Sequence, residues 1–157
     1  MSDLDPARLE SADRLDRLDE SLVRERLRRA RVARIGFVDG DQPIIVPVNV
    51  ATDDEARIVF RTATTGPLGA LDGRRVAIEV DGYDTTLHSG WSILVQGVAR
   101  DITMATDVAA RRLQRLPVDC WAPGSRDRLF VVLPLSITGR VIHGDAAGDW
   151  FAGVPAS

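Results

Sequence analysis

Apolar and polar residues alternate along much of this chain, and a period of two predicts β-strands. The alternation is clearest in four runs, residues 31–38, 42–50, 57–62 and 75–81. Alternation over about four to eight residues is typical of a strand with one buried face. An Asp-Gly pair separates the first two runs and favours a hairpin. The first three runs are therefore predicted to form a three-stranded meander.

Two longer runs complete the predicted sheet. Residues 90–102 form one strand with Gly97 inside it, and such a glycine often marks a bulge or bend in a closed sheet. Residues 129–142 form the last strand, which we expect to be broken at Pro134. The segment 82–89 is polar and is predicted as a loop. Five or six strands with one curved member favour a small barrel.

Helical periodicity appears in two places. Asp19 is predicted to cap a helix from Glu20 to Arg29, and its arginines are expected to face solvent. A second helix would begin after Thr103 or Thr106 and end before Pro117, and residues 69–73 could add a short one. The predicted buried positions are Leu22, Val23, Leu27 and Ala30 in the first helix and Ala109, Leu113 and Leu116 in the second.

Composition is that of one ordinary globular domain. The chain has 157 residues, of which 45% are hydrophobic and 27% charged. We divide it into a flexible leader at 1–17, a domain at 18–143 and a tail at 144–157. Trp150 and Phe151 in the tail either anchor it to a partner subunit or lie on the surface.

Charge and cysteine content exclude several functions. The net charge of −3 argues against nucleic acid, which usually needs a basic face. All 20 basic residues are arginine, so lysine-based catalysis is excluded. Cys120 cannot form an internal disulfide, and with only two histidines no closed zinc site can be built from Cys and His. The start of the chain resembles no secretory signal and no apolar run approaches about 20 residues, so we expect a cytoplasmic protein without a membrane role.

The strand end at Arg61-Thr62 is a candidate phosphate site. The loop Thr64-Thr65-Gly66-Pro67-Leu68 follows it directly. Arginine can hold phosphate oxygens with two parallel hydrogen bonds, and backbone N–H groups at a glycine turn can add donors. That combination suggests a phosphorylated cofactor, although an Arg-Thr pair at a strand end can equally be solvated without a ligand.

A series of short motifs, taken in order, resembles a known family. They are Arg31–Val38, Val46-Pro-Val-Asn49, Val59-Phe-Arg-Thr62, Ala77–Asp81, Gly90–Gly97, Trp121-Ala-Pro-Gly124 with Arg126-Asp-Arg128, and Thr138-Gly-Arg140. Their order and spacing resemble the pyridoxamine 5'-phosphate oxidase-like proteins, the flavin-binding split β-barrels. The resemblance extends from about Leu18 to Ile142.

The resemblance implies a mainly β fold with flanking helices, a six-stranded split β-barrel that forms a homodimer with flavin in the clefts between subunits. FMN is the commonest cofactor of the family, and related branches use the deazaflavin F420 or haem. By position, Arg61 and Thr62 would contact the phosphate, with Gly66, Pro67 and Leu68 in the adjoining loop. Further cofactor contacts would come from Pro47, Val48 and Asn49 at the flavin ring, Trp91 and Ser92 in the cleft, and Trp121 and Arg126 in the C-terminal loop of the other subunit.

One position departs from the family pattern. Where the family commonly carries a lysine in the phosphate loop, this chain has Pro67. Arg74, Arg75 or Arg126 could replace the missing charge. We therefore expect an FMN- or F420-dependent oxidoreductase acting on a small molecule, with hydride passing through the flavin N5 and no catalytic side chain assigned. The alternatives are a non-catalytic flavin or haem binder, with His88 as a candidate iron ligand, or a ligand-free dimer.

Overall fold

The computed structural model describes residues 15–144. Seven antiparallel strands, two α-helices and one 3-10 turn make up this part of the chain. The predicted tail aromatics, Trp150 and Phe151, lie outside it. The elements are β1 Leu15–Arg17, α1 Glu20–Arg29, β2 Val32–Asp39, β3 Gln42–Thr52, β4 Ile58–Thr62, the 3-10 turn Pro67–Ala70, β5 Arg75–Asp84, β6 Ser89–Asp101, α2 Val108–Gln114 and β7 Arg128–Ile142.

Six of the strands close into a ring. The pairing order is β1-β7-β4-β3-β2-β5-β6, and β6 pairs back onto β7. Every pairing is antiparallel. The predicted meander is the β2–β3–β4 segment, and the predicted split-barrel fold is confirmed. The short strand β1 pairs with the outer edge of β7 and covers the last three residues of the predicted leader.

The two longest strands curve around a bulge. The β6–β7 register shifts between Gln96 and Gly97, and Gly97 pairs with Pro134. The bend predicted at Gly97 is confirmed. The predicted break at Pro134 is wrong, because β7 runs without interruption from Arg128 to Ile142. The register skips Leu135, so the extra residue of the bulge lies in β7, next to the proline.

The first helix packs over one side of the barrel. The Asp19 side chain accepts a hydrogen bond from the backbone N–H of Ser21, which confirms the predicted cap. Val23 and Leu27 are buried in the main core, whereas Leu22 is exposed and does not belong to the predicted buried stripe. Arg24, Arg28 and Arg29 face solvent as predicted, and each pairs with a carboxylate. Arg26 instead is half-buried and contacts Trp91.

The second helix covers a smaller core outside the barrel. Its N-cap is Asp107 instead of Thr103 or Thr106, and Ala110 is the buried alanine instead of Ala109. The cap lies one residue beyond Thr106, and the buried alanine likewise lies one residue beyond Ala109. The predicted short helix at 69–73 is instead the 3-10 turn.

The β5–β6 connection is shorter than the sequence predicts. Residues 82–84 extend β5 and Ser89 begins β6, which leaves a tight turn between them. Asp84 Oδ1 accepts the backbone N–H groups of Thr86 and Leu87 at 2.8 and 3.0 Å and fixes this turn. Among the residues that the structure describes, no helix is long and apolar enough to cross a membrane.

Candidate functional site

A small cavity lies where β3, the end of β4 and the loop before β7 meet. The cavity is open to solvent on one side.

The volume of this cavity is about 240 Å³. The residues that line it come from β3, from the end of β4 and the turn after it, and from the loop before β7. They are Pro47, Val48, Asn49, Arg61, Thr62, Ala63, Leu68, Cys120, Ala122 and Arg126.

Two arginines give the cavity its charge. Arg61 and Arg126 both line it, and among the described residues no carboxylate belongs to its lining. Arg126 Nη1 donates to the carbonyl oxygen of Ser125 at 3.1 Å. Within residues 15–144, neither arginine forms an ion pair with a carboxylate. The cavity therefore favours an anion, and guanidinium groups suit phosphate or carboxylate oxygens.

Two contacts with β7 fix the strand end that carries Arg61. Phe60 stacks on Phe130 of β7 with ring centroids 5.5 Å apart. Thr62 is buried and pairs with Arg128 in the β4–β7 ladder. A cation at the end of such a strand is held in place by the core beneath it, which reduces the entropy lost on binding a ligand.

Arg128 is itself held by an acidic neighbour. Its guanidinium forms a short ion pair with Asp101, and Thr103 donates to Asp101 Oδ1 through its hydroxyl at 2.6 Å and its backbone N–H at 2.9 Å. Burial raises the pKa of the Asp101 carboxyl, but the hydrogen bonds from Thr103 and Arg128 outweigh it, so the pKa lies below the ordinary value.

The turn after β4 contributes less than the sequence predicts. Of the three loop residues assigned to the cofactor, Leu68 lines the cavity, whereas Gly66 and Pro67 do not. The Gly69 N–H donates to the Gly66 carbonyl at 3.1 Å and closes the 3-10 turn. Pro67 has no backbone N–H, so it offers a ligand neither the lysine charge of the family pattern nor a main-chain donor.

Asn49 has a structural role that the sequence did not reveal. Its Nδ2 donates to the Arg31 carbonyl at 3.3 Å, and its Oδ1 accepts the backbone N–H of Trp121 at 2.9 Å. Both ends of the amide are thus engaged, and they tie the loop before β7 to β3. The Trp121 side chain is exposed, and its Nε1 donates to Asp119 Oδ2 at 3.2 Å.

Trp91 and Ser92 lie outside this cavity. The Arg26 guanidinium lies 4.2 Å from the centre of a Trp91 ring, a cation–π contact between α1 and β6. The indole covers Gly82, where a Cβ atom would come within 2.7 Å of Nε1. In the single chain Trp91 therefore belongs to the region beneath α1, whereas Ser92, the next residue on β6, points to the opposite face of the strand.

Sequence reasoning missed three residues of the lining, namely Ala63, Cys120 and Ala122. Each is a direct neighbour of a predicted residue, Thr62 or Trp121. Their position next to predicted residues was the only signal in the sequence. Small apolar side chains and a lone thiol form no motif that indicates a binding site. No group of His, Cys, Asp and Glu in the described part of the chain is arranged to hold a metal ion.

The closed antiparallel ring with a cationic cavity at its strand ends defines a split β-barrel protein. A family model described as pyridoxamine 5'-phosphate oxidase matches residues 19–141. The chain belongs to this family, as its sequence motifs suggested.

Known proteins resemble the chain over most of its length. The uncharacterized protein Rv0080 of Mycobacterium tuberculosis is 30% identical over 143 residues, which cover 87% of this chain and 91% of the relative. A solved FAD binding protein from Mycobacterium smegmatis is 28% identical with a TM-score of 0.66, covering 82% of this chain and 99% of that one. A conserved protein of unknown function from Corynebacterium diphtheriae, DIP1874, is 30% identical with the same TM-score of 0.66, covering 83% and 99%.

Proposed function

We propose that this protein binds a flavin between the subunits of a homodimer and uses it in redox chemistry on a small molecule. The observation that carries the proposal is the cavity in which Arg61 and Arg126 face an open space without a carboxylate in its lining. Arg61 and Thr62 are the residues that the family resemblance assigns to the cofactor phosphate. The name of the Mycobacterium smegmatis relative, an FAD binding protein, supports the same cofactor class.

Arg126 replaces the missing lysine in this proposal. Of the three arginines that could substitute for it, Arg126 alone lines the cavity. Arg74, which donates to the Val38 carbonyl, and Arg75 both line a neighbouring groove instead of the cavity. A hydrogen bond to a charged group contributes about 1.5–3 kcal/mol, so one well-placed guanidinium can compensate for the lysine.

Three cofactors are candidates for this phosphate site. FMN is our first choice because it is the commonest cofactor in the family, FAD is the flavin of the Mycobacterium smegmatis relative, and F420 is the third candidate. All three carry a phosphate and a flat ring. Pro47 and Val48 on β3 would give that ring an aliphatic wall, which favours packing of a planar aromatic group.

The size of the cavity supports binding between subunits. Its 240 Å³ lies below the range of about 300–1,000 Å³ typical of small-molecule pockets. One chain therefore provides part of a flavin site, and a second copy would have to supply the rest.

An apolar groove next to the cavity supports the same assembly. This groove has a volume of about 750 Å³, and its lining includes the exposed side chains of Val38, Ile45 and Leu135. Large exposed apolar patches mark interaction surfaces. Ile45 and Pro47 are two residues apart on β3 and both exposed, so they share the outer face of the strand. A second copy seated on the groove would also reach the open side of the cavity.

The lining residues suggest how the chemistry is divided. The cavity contains no carboxylate or imidazole, so the bound flavin would supply the redox chemistry. The protein would hold the phosphate through arginine, orient the ring against β3 and exclude water. The same lack of an acid–base group favours a second candidate, a flavin binder without turnover.

Titration with FMN, FAD and F420, followed by flavin fluorescence, tests the binding proposal. We expect micromolar or tighter affinity for at least one of them. Turnover with a reduced nicotinamide or reduced deazaflavin donor then separates an oxidoreductase from a non-catalytic binder. Failure to bind any flavin would contradict the proposal, and a Soret band in the purified protein would point to haem instead.

A further inference from the structure

A second cavity lies at the junction of β1, the start of α1 and β7. Its volume is about 340 Å³, within the range of about 300–1,000 Å³ typical of ligand pockets. We call it the β1–α1–β7 cavity. It is lined by Arg17, Leu18, Glu20, Val23, Arg24, Ile137, Thr138, Gly139 and Arg140, none of which lines the proposed flavin cavity.

The charges around this cavity do not balance. Its lining contains three arginines and one carboxylate. Glu20 Oε1 accepts from Nη2 of Arg24 at 2.9 Å and from its Nε at 3.3 Å, so these two charges offset one another. Arg17 and Arg140 form no ion pair within residues 15–144. Two positive charges are left facing the cavity.

These two arginines are direct partners across the sheet. Arg17 pairs with Arg140 in the β1–β7 register, so both side chains leave the same face of the ladder. The Cβ atoms of such a pair lie about 4.5–5.5 Å apart, and like charges placed there destabilise the sheet. An anion bound between the two guanidinium groups would convert this repulsion into attraction.

We propose that the β1–α1–β7 cavity is a second anion site, which binds the phosphate group of a small molecule between Arg17 and Arg140. A phosphate dianion matches the two uncompensated charges, and each guanidinium can donate two hydrogen bonds to it. The apolar side chains of Leu18, Val23 and Ile137 also line the cavity and offer contact to an organic remainder. The preferred ligand is therefore a phosphate monoester.

Amide chemical shifts measured during titration locate this site. Inorganic phosphate and glycerol 3-phosphate are added separately to the ¹⁵N-labelled protein, with sodium chloride at matched ionic strength as the control. We expect phosphate to shift the amide signals of Leu18, Thr138 and Gly139, and the monoester to bind more tightly than inorganic phosphate. Equal affinity would contradict the monoester preference and leave a site for free phosphate.

Substitution of the arginines tests the assignment. Arg17→Gln and Arg140→Gln should each weaken phosphate binding about tenfold, which is the loss expected for one charge-assisted contact. Without phosphate their melting temperatures should equal or exceed that of the wild type, because a like-charge contact is removed. Arg112→Gln is the matched control, since Arg112 is an exposed arginine of α2 that lines neither cavity.

A further variant distinguishes the second anion site from the proposed flavin site. Arg61→Gln should leave the shifts at Thr138 and Gly139 unchanged, whether or not the proposed flavin site is correct. The second anion site is overturned if phosphate shifts only the amides of the 61–68 segment, or if Arg17→Gln and Arg140→Gln bind phosphate as the wild type does.

Discussion

Arg61 is a half-buried arginine that lines the proposed flavin cavity and has no carboxylate partner within residues 15–144. Removing it should therefore harm binding more than folding. We expect Arg61→Ala to weaken FMN binding at least tenfold, since a hydrogen bond to a charged group contributes about 1.5–3 kcal/mol. Fluorescence titration measures the affinity, and the apo-protein should melt at nearly the wild-type temperature. Arg111→Ala on α2 is the control, and an unaltered FMN affinity in Arg61→Ala would rule out this residue as the phosphate contact.

Asp101 predicts a pH dependence of stability. Its folded pKa lies below the ordinary value of 3.8, so its contribution is present above that pH and is lost as the pH falls through the folded pKa. Asp101→Asn should lower the free energy of unfolding at pH 7 by about 1–3 kcal/mol, because Arg128 and Thr103 lose a charged partner.

Urea denaturation between pH 2 and pH 7, an experimental range of about five units chosen to span carboxyl titration, measures this effect. The difference between Asp101→Asn and wild type should shrink toward the acidic end. Asp54→Asn is the control, because Asp54 pairs with Arg28 on the surface and exposed pairs contribute little. A pH-independent difference would show that the carboxylate charge is not the cause.

The sequence predicted the positions of some single residues but not the contacts of others. Arg61, Thr62 and Arg126 were predicted together as cofactor contacts because their motifs follow the family order, and all three line one cavity. The bonds of Asn49 to Arg31 and Trp121 were not, because they join positions far apart in sequence. Sequence motifs identify residue types, whereas the fold decides which side chains remain available to a ligand.

Among the secondary-structure elements, the bulge in the β6–β7 pairing offers a direct test. A Cβ atom at Gly97 would lie 2.3 Å from the Leu133 carbonyl oxygen, so Gly97→Ala must displace backbone. We expect the free energy of unfolding to fall by about 1–3 kcal/mol, the usual cost of overpacking. Gly36→Ala is the matched control in β2, because its nearest contacts would be at 3.8 Å. Urea denaturation measures both, and an equal effect of the two substitutions would contradict the close approach at the bulge.

Element types were easier to predict than element ends. Alternation revealed the strands because the barrel buries one face of each, and Asp19 revealed the start of α1 because its side chain caps the helix. The ends were set by contacts that local sequence does not show. Pro134 remains within β7 because the bulge at Leu135 lies beside it and Gly97 leaves room for the close approach of β7. Asp107 caps α2 by accepting the Ala110 N–H at 2.9 Å.

At the scale of the whole molecule, the ring of strands is complete in one chain, whereas the proposed flavin site is not. The barrel closes through the β6–β7 pairing, and the main hydrophobic core lies inside the closed ring. The cavity of 240 Å³ and the apolar groove of 750 Å³ both remain open on the outer face of β3. A homodimer would cover both surfaces with a single interface.

Substitution at the groove tests this assembly. Ile45 is 71% exposed, so Ile45→Asp should disturb the monomer fold little but place a charge in the proposed interface. We expect light scattering to show a wild-type dimer and a largely monomeric variant, with flavin affinity reduced at least tenfold because half of the site is lost. Met104→Asp is the control, since Met104 is 87% exposed and lies outside the groove.

Flavin should also raise the melting temperature of the wild-type dimer, because a ligand that binds only the assembled form stabilises it by mass action. A monomeric wild type that binds flavin with undiminished affinity would contradict the interface, and the cavity would then have to close around the cofactor within one chain.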